Sequence, residues 1–498
     1  MLTCVLEHPR IRSEKRFNDI ANTPLWSCLM GGYAASSLEQ AGHEVVFWDA
    51  TKTRWNFEKT KREVIKLSPD LLCVNAVYIW EHTDKLFAFF SALKKEGFSG
   101  HIHLFGFFPT LAWKIIFEET DGVDSISVGE CEKIIVALAA ALKKNESIKD
   151  ISGLAHRSSN GNIEFKPAAP ERDPNIFPFP KRNDRKTDTI SILGSRGCYN
   201  HCRFCPIPSF YNQGPLWRGR HPDNIFEEME MLADKGFKDF YFVDPNFIGP
   251  GKIGKERIIE LMKRIRPLQI TFGMETRPED LDVNVVDHLV SSGFQSLLMG
   301  IESGSSRVLD NLQKHTPLSA SEKAIELCRN AGIEPEIGFL MFVPDSTLED
   351  LRHNFDFLTK NNLLERLEIT VNMLSHRQIV FMGTSGYKMF EKQGRLKRTG
   401  FLGFEGKVSC MDKDVNRISE ILVQACHFVL RQMEKPDASI YWQNLENNSV
   451  GHQVNNYLVN LFDQLVTDAA RRVSIPETDE FIKDIETDLK IIIRSNSL

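Results

Sequence analysis

The stretch Leu193–Pro208, LGSRGCYNHCRFCPIP, decides the reading of this chain. Cys198, Cys202 and Cys205 form a C-x3-C-x2-C triplet directly after the apolar run Thr189–Leu193 (TISIL). A loop leaving a strand can wrap three thiolates around one small object, and thiolates are the ligands that soft iron–sulfur clusters take. Three cysteines with no fourth nearby suit a cubane cluster that keeps one iron open. Zinc is the inorganic competitor. A closed structural zinc site wants four ligands, usually as two paired motifs, and no second C-x2-C is present. His201, imagined as a fourth ligand, stands next to Cys202, a spacing that makes tetrahedral closure awkward. Three unrelated core cysteines are the plain alternative, but the triplet lies in a Gly/Arg/Asn loop and not in an apolar run.

Around this loop the chain alternates short apolar runs with segments of helical period. Downstream, strand candidates are Asp239–Asp244, Gln269–Met274, Ser296–Gly300, Glu336–Phe342 and Glu368–Met373. With Thr189–Leu193 they make six strand–helix units, the rhythm of a partial (β/α)6 barrel over residues 189–385. Upstream, Thr3–His8, Glu44–Asp49, Asp70–Ala76, Ile102–Gly106 and Ser125–Gly129 read as strands separated by helix-length spacers. Continuous apolar runs spaced in this way predict an α/β domain over 1–145, a doubly wound, Rossmann-like parallel sheet covered on both faces. Between the two, residues 146–188 carry Pro167, Pro170, Pro174, Pro178 and Pro180, which favours an extended linker with at most a small hairpin. Residues 386–498 are expected to be mainly helical.

The whole chain has 498 residues, 42% hydrophobic and 26% charged, with 61 Lys+Arg against 67 Asp+Glu. That balance is ordinary for a globular protein and lacks the basic footprint of nucleic-acid binding. No apolar run approaches the ~20 residues of a membrane span. Ten cysteines are too sparse for a disulfide framework. With no export signal at MLTCVLEHPRIR, a reducing cytoplasm is the expected setting. Cys4, Cys28, Cys73, Cys131 and Cys328 sit in apolar patterns and are expected in the core.

The motif GSRGC-x3-C-x-F-C resembles the cluster motif of radical S-adenosylmethionine (SAM) enzymes. Further segments follow in that family's order: FVDPNF (242–247), GMETRPEDL (273–281), GIESGSSRVLDNLQK (300–314) and GFLMFVPDSTLEDL (338–351). The arrangement resembles the subgroup with a cobalamin-binding-like N-terminal domain. Asp49-Ala50 and Val128-Gly129-Glu130 are similar to its usual turns. Two departures stand out. Phe105-Gly106-Phe107-Phe108 replaces the usual Gly-Gly, and the Asp-x-His-x-x-Gly loop that donates an axial histidine is absent.

The resemblance implies that Cys198, Cys202 and Cys205 hold a 4Fe-4S cluster whose open iron chelates SAM. One electron then cleaves SAM to methionine and a 5′-deoxyadenosyl radical, which abstracts hydrogen from an unactivated substrate carbon. Phe204, Asp244, Asn246, Glu275, Arg277, Glu302 and Ser303 are the implied SAM contacts. Asp49, Tyr78, Trp80, Phe105, Gly106, Phe107, Gly129 and Glu130 either line a corrin or interdomain pocket or form a buried cluster between domains. Cobalamin-dependent C-methylation of a small molecule or natural product is the leading expectation, with flavodoxin or ferredoxin as electron donor. A cobalamin-independent dehydratase, epimerase or cyclase is the alternative, and a zinc- or cluster-stabilised binding protein is the reading from another class.

Overall fold

The structure, a computed structural model, describes residues 1–13, 25–158, 160–211, 216–434, 449–476 and 478–495. In the N-terminal unit, β1 (Leu2–Glu7), β2 (Glu44–Asp49), β3 (Leu71–Asn75), β4 (His101–Phe105) and β5 (Ser125–Ser127) run parallel in the order β2-β1-β3-β4-β5. Every residue of β3, Leu-Leu-Cys-Val-Asn, is buried, as a strand covered on both faces requires. The order reverses between β1 and β3, the switch point of a flavodoxin-like doubly wound sheet. A hairpin of β6 (Leu154–Arg157) and β7 (Ile163–Phe165) adds antiparallel to β5, so the expected five strands become seven.

The second unit begins with β8 (Ile190–Ile192). The cluster loop then hangs from an antiparallel pair, β9 (Ser195–Cys198) and β10 (Leu216–Gly219). Next come β11 (Asp239–Phe242), β12 (Thr271–Thr276), β13 (Phe294–Glu302) and β14 (Glu336–Phe339), giving a parallel sheet β14-β13-β12-β11-β8. Helices such as Gly251–Ile265 and Leu348–Lys360 cover its outer face. The latter starts at a capping box in which Thr347 and Asp350 satisfy each other's backbone donors.

One expected strand is absent from this sheet. Glu368–Met373 lies inside the helix Leu367–Ser375, and five strands form the partial barrel among the described residues. The apolar run was ambiguous: Leu367, Thr370, Val371 and Leu374 are all buried, at the i, i+3, i+4, i+7 spacing of a helix face. A lone bridge, Phe342 to Arg377, marks the barrel's open side.

The C-terminal region is mainly helical, in Lys413–Met433, Val450–Ala470 and Thr478–Ser495, and its apolar faces merge with the barrel core. It is preceded by a small antiparallel sheet of β15 (Val380–Phe381), β16 (Lys397–Thr399) and β17 (Glu405–Lys407). That sheet packs on the N-terminal unit: Phe381 and Phe404 share a core with Tyr78, Trp80 and Phe108. Among the described residues no helix is long and apolar enough to cross a membrane.

Candidate functional site

The three cysteines converge on a cavity of about 560 Å3 at the carboxyl-end mouth of the barrel. Cys202 is buried, and its sulfur accepts from Asn200 Nδ2 at 3.3 Å and faces Arg277 Nη1 at 4.0 Å. Burial and the neighbouring thiols push the Cys205 thiol up, so the loop needs positive charge beside it to carry thiolates. Arg277 supplies it. Its guanidinium also donates to the Lys314 carbonyl (2.7 Å) and Thr316 (2.9 Å) and lies over the Tyr199 ring.

Gly197 makes the entry to the loop possible. Its φ is +83°, and a β-carbon there would run into the Leu216 carbonyl on β10. Gly197→Ala is therefore expected to unpair β9 from β10 at a cost of about 1–3 kcal/mol. Iron content after reconstitution, together with the thermal midpoint, checks this; both should fall.

Among the described residues no group of His, Cys, Asp or Glu is arranged to hold a single metal ion. His201 is exposed, facing His315. A single zinc ion therefore has no ligand set among the described residues. A cluster bridging its own sulfides spans a wider gap than one ion, and three thiols on one cavity wall suit it.

The SAM candidates divide into two groups. Phe204, Glu275, Arg277 and Glu302 line the cavity. Phe204 packs on the apolar group Val308, Leu312, Leu340 and Val343. Glu302 has φ +72° and pairs with buried Lys314 at 3.2 Å. Such a conformation costs a non-glycine residue about 1–3 kcal/mol, and here it turns the carboxylate into the cavity mouth.

Asp244, Asn246 and Ser303 are fully buried elsewhere. Asp244 accepts from the Gly194 amide at 2.9 Å, and Asn246 joins Asp280 (2.9 Å) to Thr276 (3.0 Å). Ser303 donates to Asn354 at 2.6 Å. Side chains alternate along a strand and its extension. Pro245, between the two polar residues, takes the inward position and lines the cavity. These three side chains brace the wall behind the site.

Sequence reasoning missed other lining residues: Lys314, Asn372, His376 and Gln378, with Trp26 and Phe381 above them. Lys314 was legible only as the end of GIESGSSRVLDNLQK. The others sit in the helix read as a strand and in the segments joining the units.

The eight positions assigned to a corrin or interdomain pocket are not gathered in one cavity: Gly129 and Glu130 line one of about 410 Å3 with Phe177 and Tyr211, and Asp49 lines another of about 490 Å3. Tyr78, Trp80, Phe105 and Phe107 are buried in apolar cores. Gly106 packs against Asn75, and Gly129 under the Phe210 carbonyl. Asp49 caps the turn at Lys52 (2.8 Å). Glu130 accepts from Arg196 (3.0 Å) and Arg218 (2.9 Å), joining the N-terminal unit to the cluster hairpin. Cys28, expected in the core, is exposed.

Residues 192–358 match the Radical SAM superfamily. The chain is a radical SAM enzyme. Its cofactors are those of the family, a 4Fe-4S cluster and SAM. Over nearly its full length it resembles solved cobalamin-dependent members. The radical SAM enzyme OxsB with aqua-cobalamin bound superposes with a TM-score of 0.70 at 17% identity, covering 99% of this chain and 84% of that one. TsrM from Kitasatospora setae, with cobalamin and a [4Fe-4S] cluster bound, gives 0.66 at 16%, covering 98% and 99%. An uncharacterized methyltransferase of Pyrococcus horikoshii is 24% identical over 343 residues, 66% of this chain and 72% of the relative. The anaerobic magnesium-protoporphyrin IX monomethyl ester cyclase of Rubrivivax gelatinosus is 24% identical over 364 residues, 67% of this chain. The match spans 61% of that cyclase, less than two thirds of its length. The radical SAM enzyme thus carries an N-terminal domain of the cobalamin-binding-like fold.

Proposed function

We propose that this radical SAM enzyme holds a largely apolar small molecule in the barrel cavity and activates it by hydrogen abstraction at an unactivated carbon. The observation that carries the proposal is a single cavity bounded by Cys198, Cys202 and Cys205 on one wall and by Leu298, Ile337 and Met373 on another. When bound, the cluster and SAM supply the electron and the hydrogen-abstracting nucleoside fragment. The chain itself orients and excludes water. Arg277 and Lys314 balance negative charge at the cysteine loop, Phe204 offers a flat apolar face for a base, and the apolar floor keeps solvent from the substrate. A flavodoxin- or ferredoxin-like donor is the proposed electron source. Anaerobic reconstitution with iron and sulfide, followed by SAM and dithionite, tests this. Release of 5′-deoxyadenosine is expected; iron-free, colourless protein overturns it.

Two fates of the activated carbon follow. Cobalamin-dependent C-methylation draws support from the similarity to a methyltransferase of Pyrococcus horikoshii and to the cobalamin-bound TsrM. A cobalamin-independent dehydratase, epimerase or cyclase is favoured by the packing of the N-terminal aromatic residues upon each other, and the geometry supports this second reading better.

Glu275 at the cavity floor gives a pH signature. Burial, with the Asp244 carboxylate behind it, raises its pKa to about 8, and Oε1 is buried without a hydrogen-bond partner. The folded state therefore keeps a proton that the unfolded chain releases near its usual carboxylate pKa. Stability tied to this group is full below that lower value and is lost as pH rises through about 8. Glu275→Gln removes the titration. Denaturant midpoints are expected to fall from about pH 5 to about pH 8 in the parent and to stay flatter in the variant.

A further inference from the structure

We infer that the corrin position of the N-terminal sheet is filled by the chain's own side chains, and that the enzyme works without cobalamin. The inference rests on the radical SAM reading above. In a doubly wound sheet a ligand lies beyond the carboxyl ends of the strands, in the crevice where strand order reverses. Here that crevice separates β1 from β3, and two side-chain bonds close it. The His8 ring, one residue past β1, accepts from the Val77 amide at 3.0 Å through Nε2 and donates to the Pro9 carbonyl at 2.8 Å through Nδ1. Burial lowers its pKa to about 4, which keeps the neutral ring that both bonds need. Beside it, Asn75 at the end of β3 donates to Glu7 at the end of β1 at 2.8 Å.

Past β3 the filling is aromatic. Trp80 takes φ +49°, an outlier for a bulky residue, and this folds the indole inward. Ring centroids stand 4.8 Å apart for Tyr78 and Phe404, 4.8 Å for Phe108 and Phe404, and 6.0 Å for Trp80 and Phe381. The Tyr78 hydroxyl donates to Glu405 at 2.7 Å. Three of these partners, Phe381, Phe404 and Glu405, come from the small sheet that follows the barrel and the turn leading into it, so the plug is assembled from distant parts of the chain. Past β4, Phe107 stacks on Phe210 at 6.4 Å, and Trp26 closes on the same ring at 4.7 Å. The backbone approach that glycine permits is used up internally: a β-carbon on Gly106 would meet Asn75 Oδ1 at 2.5 Å.

Two cavities remain at this end of the sheet: one of about 490 Å3 beyond β1 and β2, lined mostly by charged and polar side chains, and one of about 410 Å3 past β5, between Gly129-Glu130 and the proline-rich segment at Pro167 and Pro170. Arg10 pairs with Glu7, Lys52 with Asp184 and Arg182 with Glu228. In the first, Leu29 and Phe47 are the apolar side chains and ion pairs occupy much of the rest.

The test uses the full chain, reconstituted anaerobically with iron and sulfide. The protein is incubated with excess hydroxocobalamin, and separately with methylcobalamin, then desalted. Cobalt per chain, the corrin absorbance and the thermal midpoint are measured, and 5′-deoxyadenosine is quantified with and without the corrin. The expected result is no stoichiometric cobalt, no shift of the midpoint, and the same yield of 5′-deoxyadenosine in both samples. Stoichiometric cobalt that survives desalting overturns the inference. Loss of 5′-deoxyadenosine from both samples strikes the radical SAM reading instead, and the cobalt measurement still decides the corrin question.

Discussion

Cys202→Ala is expected to reduce 5′-deoxyadenosine formation to the level of a no-enzyme control and to strip the chain of reconstituted iron. The other two thiols then form a pair on one side of the cavity, and a cubane held by two ligands loses both its seat and its orientation. The sulfur of Cys202 is the one best embedded. It is 7% exposed, held by Asn200 at 3.3 Å, and is the thiol facing the Arg277 guanidinium. Its removal deletes a small buried side chain, so the fold is expected to survive, and far-ultraviolet circular dichroism verifies that. Cys28→Ala is the control. Cys28 is an exposed thiol lining the separate charged cavity beyond β1 and β2, and its loss should leave iron content and turnover unchanged. A Cys202→Ala protein that retains a full iron complement and releases 5′-deoxyadenosine would remove the triplet from its assigned place.

The strands of both sheets were legible because buried parallel strands must be written as continuous apolar runs, and TCVLEH, EVVFWD and DLLCVNA leave little else to do. The run EITVNM was not decisive, since a strand and a buried helix face share short apolar stretches. At the site, the residues of the cysteine loop were legible from local spacing. Asp244 and Asn246 were not, because which residue of Asp244-Pro245-Asn246 turns inward depends on strand phase, and the phase put proline in the cavity. Most hidden were features built from distant segments. The partners Tyr78 and Glu405 lie 327 residues apart, and Glu130 and Arg218 lie 88 apart. Neither partner has a local pattern that announces the other.

Arg196→Ala is expected to destabilise the chain by about 3–5 kcal/mol, through a contact that never touches substrate. Arg196 lies on β9, two residues before Cys198, with its guanidinium buried between Glu130 (3.0 Å) and Glu132 (2.7 Å). One face of the fork covers the Phe177 ring at 4.1 Å and the other approaches Tyr33 at 4.9 Å. Arg218, on β10, completes the clamp by sharing Glu130 at 2.9 Å. Burial alone would raise the Glu130 carboxyl, but Arg196 and Arg218 hold it below the ordinary range. Alanine leaves Glu132 buried without its cation and removes one of the two cations facing Glu130, the situation in which a buried pair turns from neutral to costly. The sign of the pH dependence follows. A depressed carboxylate contributes stability above its unfolded pKa and loses it as pH falls through the folded value. The gap between parent and variant should therefore be widest near neutrality and narrow on acidification, as Glu130 protonates. Urea denaturation at neutral and at acidic pH measures it. Arg196→Lys keeps the charge but not the two-pronged fork, and should fall between them. Because Glu130 and Glu132 belong to the N-terminal unit and Arg196 to the hairpin carrying the cysteines, this clamp makes cluster position depend on domain contact. The alanine variant should then lose iron faster than the parent under a chelator, whereas equal stability and equal iron retention would show the clamp to be idle.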